Sequence, residues 1–200
     1  KIEIPNPAPG EYTIVINHKG TLDGDRQDFS LVVSAQEPET DLSTYYWIGN
    51  SGNWEDPTNW SLRSGGAPAN SVPGINNPVI FDDASFTNNA PVISFNEDAS
   101  VYNINWYTQT PVRFELQGFT LNVNGSIDIS QEGVVFNDGM LRFSGETSKG
   151  NFIRIPQNAF ANVDLEVNGI NARWNLLSDL NTRDITIEGG SLSVIDKSVN

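Results

Sequence analysis

The sequence of 200 residues contains no cysteine, one histidine and few basic residues. The lack of cysteine excludes a disulfide framework, a thiolate nucleophile and a cysteine-ligated zinc or iron–sulfur site. Because the chain has a single histidine, His18, a multi-histidine metal site is excluded. Any Ser-His-Asp triad would have to use His18. His18 lies at the end of a strand-like run, and no nucleophile-elbow motif occurs in the chain. The sequence therefore predicts that this segment is not an enzyme.

The shortage of positive charge excludes further classes of function. The chain has 25 Asp and Glu residues against 11 Lys and Arg, which gives a formal net charge of −14. Phosphate binding needs clustered Lys and Arg, so nucleic acids and anionic membrane surfaces are disfavoured as partners. No apolar run approaches the roughly 20 residues that span a bilayer, so membrane insertion is not predicted. Because the sequence begins at Lys1 without Met, we expect a segment of a longer polypeptide.

The pattern along the chain predicts two β-rich parts joined by a linker. Residues 1–35 contain two runs with the period-2 alternation of strands, Tyr12–Asn17 and Phe29–Ser34. About 35 residues cannot bury a core alone, so we expect these to be the C-terminal strands of a β-sandwich whose other strands lie upstream. The acidic composition of residues 36–43 predicts a linker, and residues 44–200 are predicted to form the second part.

Residues 92–200 consist of short β-branched or aromatic runs separated by Asn, Gly and Asp, with no helical periodicity. Runs such as Gly133–Phe136 and Met140–Phe143 are predicted as separate strands. Such a pattern fits a β-sandwich or a β-solenoid. Pairs of glycines 21 residues apart, at 118 and 139 and at 169 and 190, favour stacked coils of parallel strands, with ladders of Asn side chains between coils. The predicted fold class is all-β, the end of a β-sandwich followed by an aromatic-capped right-handed parallel β-solenoid.

Residues 44–90 combine aromatic side chains with closely spaced Gly and Pro, which predicts a loop-rich cap on the solenoid. The favoured interpretation of these rings is core packing, the commoner use of buried indoles. The alternative is a stacking platform for sugar rings. The candidate ligand-binding residues are Tyr45, Tyr46, Trp47, Trp54 and Trp60.

Three carboxylates surround Gly24 in a spacing like the first half of a calcium loop. The candidate metal ligands are Asp23, Asp25 and Asp28. The closing Glu of such a loop is missing and Arg26 adds a competing charge, so a solvated hairpin tip is favoured over a calcium site. Adjacent acidic pairs such as Asp82 and Asp83 point to opposite faces of a strand, so a glycosidase would need carboxylates from different coils.

The segment Tyr45–Ser61 contains the motif W-x-G-x-x-G-x-W-x-D-P-x-N-W-S. It is followed by Ser64-Gly65-Gly66 and by V-x-F-D-x-x-S-F at Val79–Phe86. Together these resemble a module of large secreted proteins of Bacteroidota-type bacteria, which usually precedes β-solenoid repeats in surface adhesins and other cargo of the type IX secretion system. The resemblance continues more loosely to residue 195. It implies a secreted, extracellular or outer-membrane cell-surface location.

The first part has a separate resemblance. Gly10–Leu22 and Gln27–Ser34 are similar to the end of the β-sandwich that follows the catalytic domain in secreted subtilisin-like (S8) peptidases of the same bacteria. This implies that the parent polypeptide carries a peptidase domain upstream. None of the catalytic residues of that family falls on a position of this sequence, so no catalytic residue is assigned.

The sequence thus predicts a non-catalytic structural or adhesive segment of a large secreted or cell-surface protein, which provides a rigid extended display or binding surface. One alternative is an accessory C-terminal region of a secreted subtilisin-like serine peptidase, and a second is a carbohydrate-binding module. The expected partners are other domains of the same polypeptide, surface glycans, other cells or type IX secretion components. No cofactor is expected apart from the calcium hypothesis above.

Overall fold

A computed structural model of the chain describes Gly20, Thr21, Gly24 and residues 41–145 and 150–200. The chain divides into two units, Lys1–Pro38 and Glu39–Asn200, and the architecture below is that of the second. The predicted β-sandwich strands in residues 1–35 lie outside the described residues. So do residues 36–40 of the predicted linker and the candidate calcium ligands Asp23, Asp25 and Asp28.

The described part of the second unit is built from short strands and a few long ones. The strands are β1 (Tyr45–Trp47), β2 (Gly52–Asn53), β3 (Trp60–Ser61), β4 (Val79–Phe81), β5 (Val92–Ser94), β6 (Ala99–Val101), β7 (Ile104–Trp106), β8 (Arg113–Glu115), β9 (Thr120–Val123), β10 (Ile127–Asp128), β11 (Val135–Phe143), β12 (Asn151–Arg154), β13 (Phe160–Leu176) and β14 (Thr182–Ser193). One turn of 3-10 helix, Pro57–Asn59, precedes β3.

The strands stack into a parallel β-solenoid of about 5 turns. Strand β3 runs antiparallel to β1, whereas the other pairs of named strands are parallel. A connection of one coil length separates each strand from its parallel neighbour, as parallel pairing requires. The predicted parallel β-solenoid is therefore confirmed.

The strands fall into three parallel stacks, which we call the first, second and third faces. The first face contains β1, β4, β7, β10, β12 and the end of β13. The second contains β2, β5, β8 and the beginnings of β11 and β13. The third contains β6, β9, the end of β11, the middle of β13 and part of β14. Strands β11, β13 and β14 therefore turn corners between faces.

The core lies inside the coils and is made of stacked equivalent residues. On the second face Ile93, Phe114 and Phe136 lie in one register column, the Phe160 ring packs against Phe136 with centroids 5.2 Å apart, and all four are fully buried. The rings of Phe114 and Phe136 stack with centroids 4.3 Å apart. Because alternate side chains of a strand point to the same side, each coil adds one apolar layer to the core. Full burial of each such side chain stabilises the fold by about 1.5–3 kcal/mol.

Glycines line the corner between the third and first faces, where backbones of successive coils approach closely. A Cβ added to Gly190 would lie 2.6 Å from the carbonyl oxygen of Gly169, and one added to Gly169 would overlap the carbonyl oxygen of Gly145. Gly190 also has a φ of +73°, in the left-handed region that favours glycine. The spacing of Gly169 and Gly190 therefore marks equivalent positions on adjacent coils.

Gly169→Ala is expected to lower the free energy of unfolding by about 1–2 kcal/mol, because the new methyl group must displace the neighbouring coil. The matched control is Gly150→Ala, where the nearest atom, Nδ2 of Asn175, would lie at an ordinary 3.5 Å. The control is expected to change stability by no more than about 0.5 kcal/mol. Urea unfolding of the two variants makes the comparison, and equal effects would contradict the close approach of coils at this corner.

Candidate functional site

The aromatic cap closes the N-terminal end of the solenoid. Tyr45, Trp47, Trp54 and Trp60 are each no more than 2% exposed. The ring of Trp60 lies 4.7 Å from that of Trp54 and 5.1 Å from that of Trp47. The Trp60 indole N–H also donates a 2.7 Å hydrogen bond to the carbonyl oxygen of Trp54. These rings form the first layer of the core, as the favoured interpretation predicts.

The polar residues of the tryptophan-rich motif shape the turns that hold these rings. The Asp56 carboxylate accepts hydrogen bonds from the backbone N–H and the hydroxyl of Thr58, at 2.9 and 2.6 Å, and so caps the 3-10 turn. The Asn59 side chain fills the space beside Gly49 and Gly52, where any Cβ would collide with it. The motif is thus explained by packing and turn formation within the cap.

The predicted sugar-binding platform is not formed. A ring must expose one face to stack on a sugar, and Tyr45, Trp47, Trp54 and Trp60 are enclosed in the core. The fifth candidate, Tyr46, lies on the outer side of β1 and is half-buried. The structure therefore separates Tyr46 from the four enclosed rings, and the five residues do not share one exposed surface.

Polar side chains form a ladder along the outside of the second face. In register from coil to coil these are Asn53, Ser94, Glu115, Asn137 and Asn162. Ser94 Oγ donates to Asn53 Oδ1 at 2.7 Å, and Asn162 Nδ2 donates to Asn137 Oδ1 at 2.9 Å. Asn137 Nδ2 in turn donates to Glu115 Oε1 at 3.3 Å. The predicted Asn ladders between coils are present here.

Ion pairs connect successive coils on the third face, in a group that we call the charged network. Arg142 of β11 donates two hydrogen bonds to Glu166 of β13, at 2.8 and 3.0 Å. Arg183 of β14 donates two to Asp164 of β13, each at 2.7 Å. Glu166 is a buried residue, 8% exposed, and also accepts from Asn168 Nδ2 at 3.0 Å. Bidentate ion pairs of this kind require a specific relative position of the two side chains, so they help to set the register of three coils.

The ionisation of these groups follows from their partners. Hydrogen bonds from Arg142 lower the pKa of the Glu166 carboxyl below its ordinary value of 4.5, although burial acts in the opposite direction. Hydrogen bonds from Arg183 likewise lower the pKa of Asp164. The pKa of each guanidinium is raised by its carboxylate partner. The charged form of both pairs is thus favoured in the folded protein.

The charged network is expected to lose its stabilising effect in acid. A carboxyl whose pKa is lower in the folded than in the unfolded chain adds stability above the unfolded pKa, and this stability is lost as pH falls through the folded pKa. For Glu166 the loss therefore begins below about pH 4.5. Glu166→Gln is expected to be less stable than wild type at about pH 7, with the difference shrinking towards about pH 3. Urea unfolding at both pH values measures this difference in stability between the variant and the wild type. Glu97→Gln, at an exposed residue, is the control. A difference that stays constant with pH would contradict the assignment.

Sequence reasoning did not find the charged network. Arg142 and Glu166 are 24 residues apart, and Asp164 and Arg183 are 19 apart, so each pair spans about one coil. Opposite charges separated by one coil length would have indicated these pairs, but this spacing can be recognised only when the coil boundaries are known.

In the residues that the structure describes, no group of three or more His, Cys, Asp or Glu side chains is placed to hold a metal ion. No described helix has the length and apolar character to cross a membrane.

Comparison with protein-family models, curated proteins and solved structures gives no match to this chain. Its function is therefore inferred from the residues described above.

Proposed function

We propose that this chain is a non-catalytic structural and adhesive segment of a secreted or cell-surface protein, whose solenoid holds a binding surface on a stiff support. The observation that supports this best is the parallel pairing of successive coils on three faces, with register shifts confined to the long strands β11, β13 and β14. Each coil pairs its strands with those of its neighbours, and the Trp174 indole N–H reaches past one coil to the Gly125 carbonyl oxygen at 2.8 Å, so stiffness along the stack depends on contacts between coils. Backbone hydrogen bonds, the polar side-chain ladder of the second face and the charged network supply such contacts.

The second face is the proposed binding surface. Its outer side chains repeat at the spacing of neighbouring strands, about 4.8 Å per coil. Three of the five side chains in this column are amides, which donate and accept hydrogen bonds as sugar hydroxyls do, so the column suits a partner that presents repeated hydroxyl groups. Surface glycans, on the same or on other cells, are the partners proposed for this face. This contact would be polar, and it does not involve the enclosed rings of the cap.

Stiffness can be measured directly because the chain has no cysteine of its own. Cysteines introduced at the exposed residues Asn53 and Asn162 would carry spin labels on the same face, four coil steps apart. Four steps correspond to about 19 Å between backbones. Pulsed electron–electron double resonance is expected to give one narrow distance distribution, which broadens in denaturant. A broad distribution in native buffer would contradict a stiff stack.

Adhesion is tested separately with glycan arrays and with beads carrying the purified chain. The wild type is expected to be retained on glycan surfaces, and the double variant Asn137→Ala/Asn162→Ala is expected to bind more weakly because it lacks two amides of the ladder. The control is Tyr107→Ala, at a tyrosine that is 65% exposed and lies outside the strands. No retention of the wild type on any glycan or cell, together with a narrow spin-label distance, would overturn the adhesive role and leave the structural one.

A further inference from the structure

Met140 is the one methionine of the chain, and it lies on the outer side of the third face. The chain has no cysteine, so this thioether is its only sulfur. Met140 is half-buried, between the buried residues Gly139 and Leu141 of β11. Its register partners on the adjacent strands are Thr120 of β9 and Asp164 of β13. The sulfur therefore belongs to the surface that carries the charged network and not to the core.

Arg142 directs a hydrogen-bond donor at this sulfur. Its Nη2 atom donates to Met140 Sδ at 3.8 Å, and the same nitrogen donates to Glu166 Oε2 at 3.0 Å. The Nε atom of Arg142 donates to Glu166 Oε1 at 2.8 Å. Because Nη2 carries two hydrogens, one can serve the carboxylate and the other the sulfur. The guanidinium thus contacts Met140 without giving up its bidentate pair with Glu166.

The chemistry of a surface thioether is oxidation, and the other oxidisable side chains are shielded. All five tryptophans are buried, and the most exposed of them is Trp106 at 6%. A thioether reacts with a peroxide when a sulfur lone pair attacks one peroxide oxygen and the O–O bond breaks. The proton on that oxygen passes to the leaving hydroxide, so the products from hydrogen peroxide are a sulfoxide and water. Sulfur loses two electrons, which reduce the peroxide, and the new oxygen is a stronger hydrogen-bond acceptor than the thioether sulfur.

We propose that Met140 is a site of oxidation by peroxides, and that Arg142 holds the resulting sulfoxide oxygen with the Nη2 hydrogen that points at the sulfur. The neighbouring carboxylate of Asp164 accepts from Arg183 with both oxygens and repels a further oxygen, so the Arg142 guanidinium is the favoured partner.

The consequence differs from that of oxidising a methionine in a core, where the polar product disrupts packing. On this outer surface the sulfoxide adds a third charge-assisted hydrogen bond to Arg142 and fixes it in the orientation that pairs with Glu166 of the next coil. The sulfoxide remains until a methionine sulfoxide reductase removes the oxygen. This modification site is on the third face and is independent of glycan binding on the second.

The first measurement is the rate at which hydrogen peroxide oxidises the full chain, followed by mass spectrometry. The reference is a synthetic peptide of residues 137–144, NDGMLRFS, whose sulfur is open to solvent. The protein is expected to react within about tenfold of the peptide rate, because its sulfur lies at the surface. Met140→Leu is expected to gain no oxygen under the same conditions. A protein reaction slower than this, or oxidation of Met140→Leu at the wild-type rate, would overturn the proposal.

The second measurement compares the stability of the oxidised and reduced forms by urea unfolding. Oxidation is expected to lower the unfolding equilibrium constant of the wild type on the order of fivefold, since it adds a hydrogen bond to a charged group. In Arg142→Ala the sulfoxide oxygen loses this donor, so no such gain is expected. If circular dichroism shows that Arg142→Ala is unfolded, Arg142→Ala/Glu166→Gln takes its place, because it leaves no unpaired carboxylate at position 166. An unchanged or raised unfolding constant of the oxidised wild type, or an equal gain without Arg142, would contradict the assignment.

Discussion

Trp60→Ala is expected to lower the free energy of unfolding by about 3–5 kcal/mol. Trp60 is fully buried and its ring contacts the rings of Trp47, Trp54 and Phe81. Truncation removes a large apolar area and leaves a cavity among these rings. It also leaves the Trp54 carbonyl oxygen without the indole N–H that donates to it. Urea unfolding followed by circular dichroism measures the loss.

Two matched variants separate the contributions to this effect. Trp60→Phe keeps most of the apolar area but loses the indole N–H, so its effect is expected to be intermediate, at about 1–2 kcal/mol. Tyr107→Ala removes a ring that is 65% exposed and is expected to cost no more than about 0.5 kcal/mol. If Trp60→Ala were no more destabilising than Tyr107→Ala, the cap would not be part of the cooperative core.

The fold class could be predicted because the solenoid repeats a local pattern. Alternation of apolar and polar residues depends only on the strand itself, so the runs that contain Ile93, Phe114 and Phe136 are visible in the sequence as strands. The glycine spacing of 169 and 190 reflects a contact between adjacent coils that no other residue tolerates. In the cap, the closely spaced Gly and Pro residues around the indole rings indicate a segment that is ordered by aromatic packing and not by regular strand pairing. These signals are local, and they concern backbone conformation or burial.

The long strands and the charged network could not be predicted in the same way. Gly133–Phe136 and Met140–Phe143 were predicted as separate strands, but β11 runs from Val135 to Phe143 through a corner. Asp138 adopts a left-handed φ of 52°, and pairing resumes after it on both sides, with a register shift against β13 and a change of partner from β8 to β9. The strand is continuous because its neighbours hold it, which is information that the run alone does not contain. Ion pairs between coils have the same origin, since they depend on a register set by the whole stack.

Arg142→Ala is expected to lower the free energy of unfolding by about 2–3 kcal/mol at neutral pH, because it leaves the Glu166 carboxylate in the sheet without its cation. Glu166 keeps only the Asn168 amide as a hydrogen-bond donor among its side-chain partners in the described residues. The Arg142 side chain is 35% exposed, so water reaches the site after truncation and the cost stays below that of a fully enclosed pair. Urea unfolding at about pH 7 measures the loss, which should diminish in acid as Glu166 gains a proton.

Two comparisons decide whether the loss comes from an unpaired buried charge. Arg113→Ala breaks a pair with Glu115 whose side chains are 55% and 30% exposed, and it is expected to cost less than about 1 kcal/mol. Replacing both partners, in Arg142→Met/Glu166→Leu, is expected to restore most of the stability, since apolar side chains of similar volume need no compensating charge. A double variant as unstable as Arg142→Ala would show that the coils depend on the ion pair itself. Recovery would show that the loss in Arg142→Ala comes from the unpaired Glu166 carboxylate and that the intact pair adds little net stability.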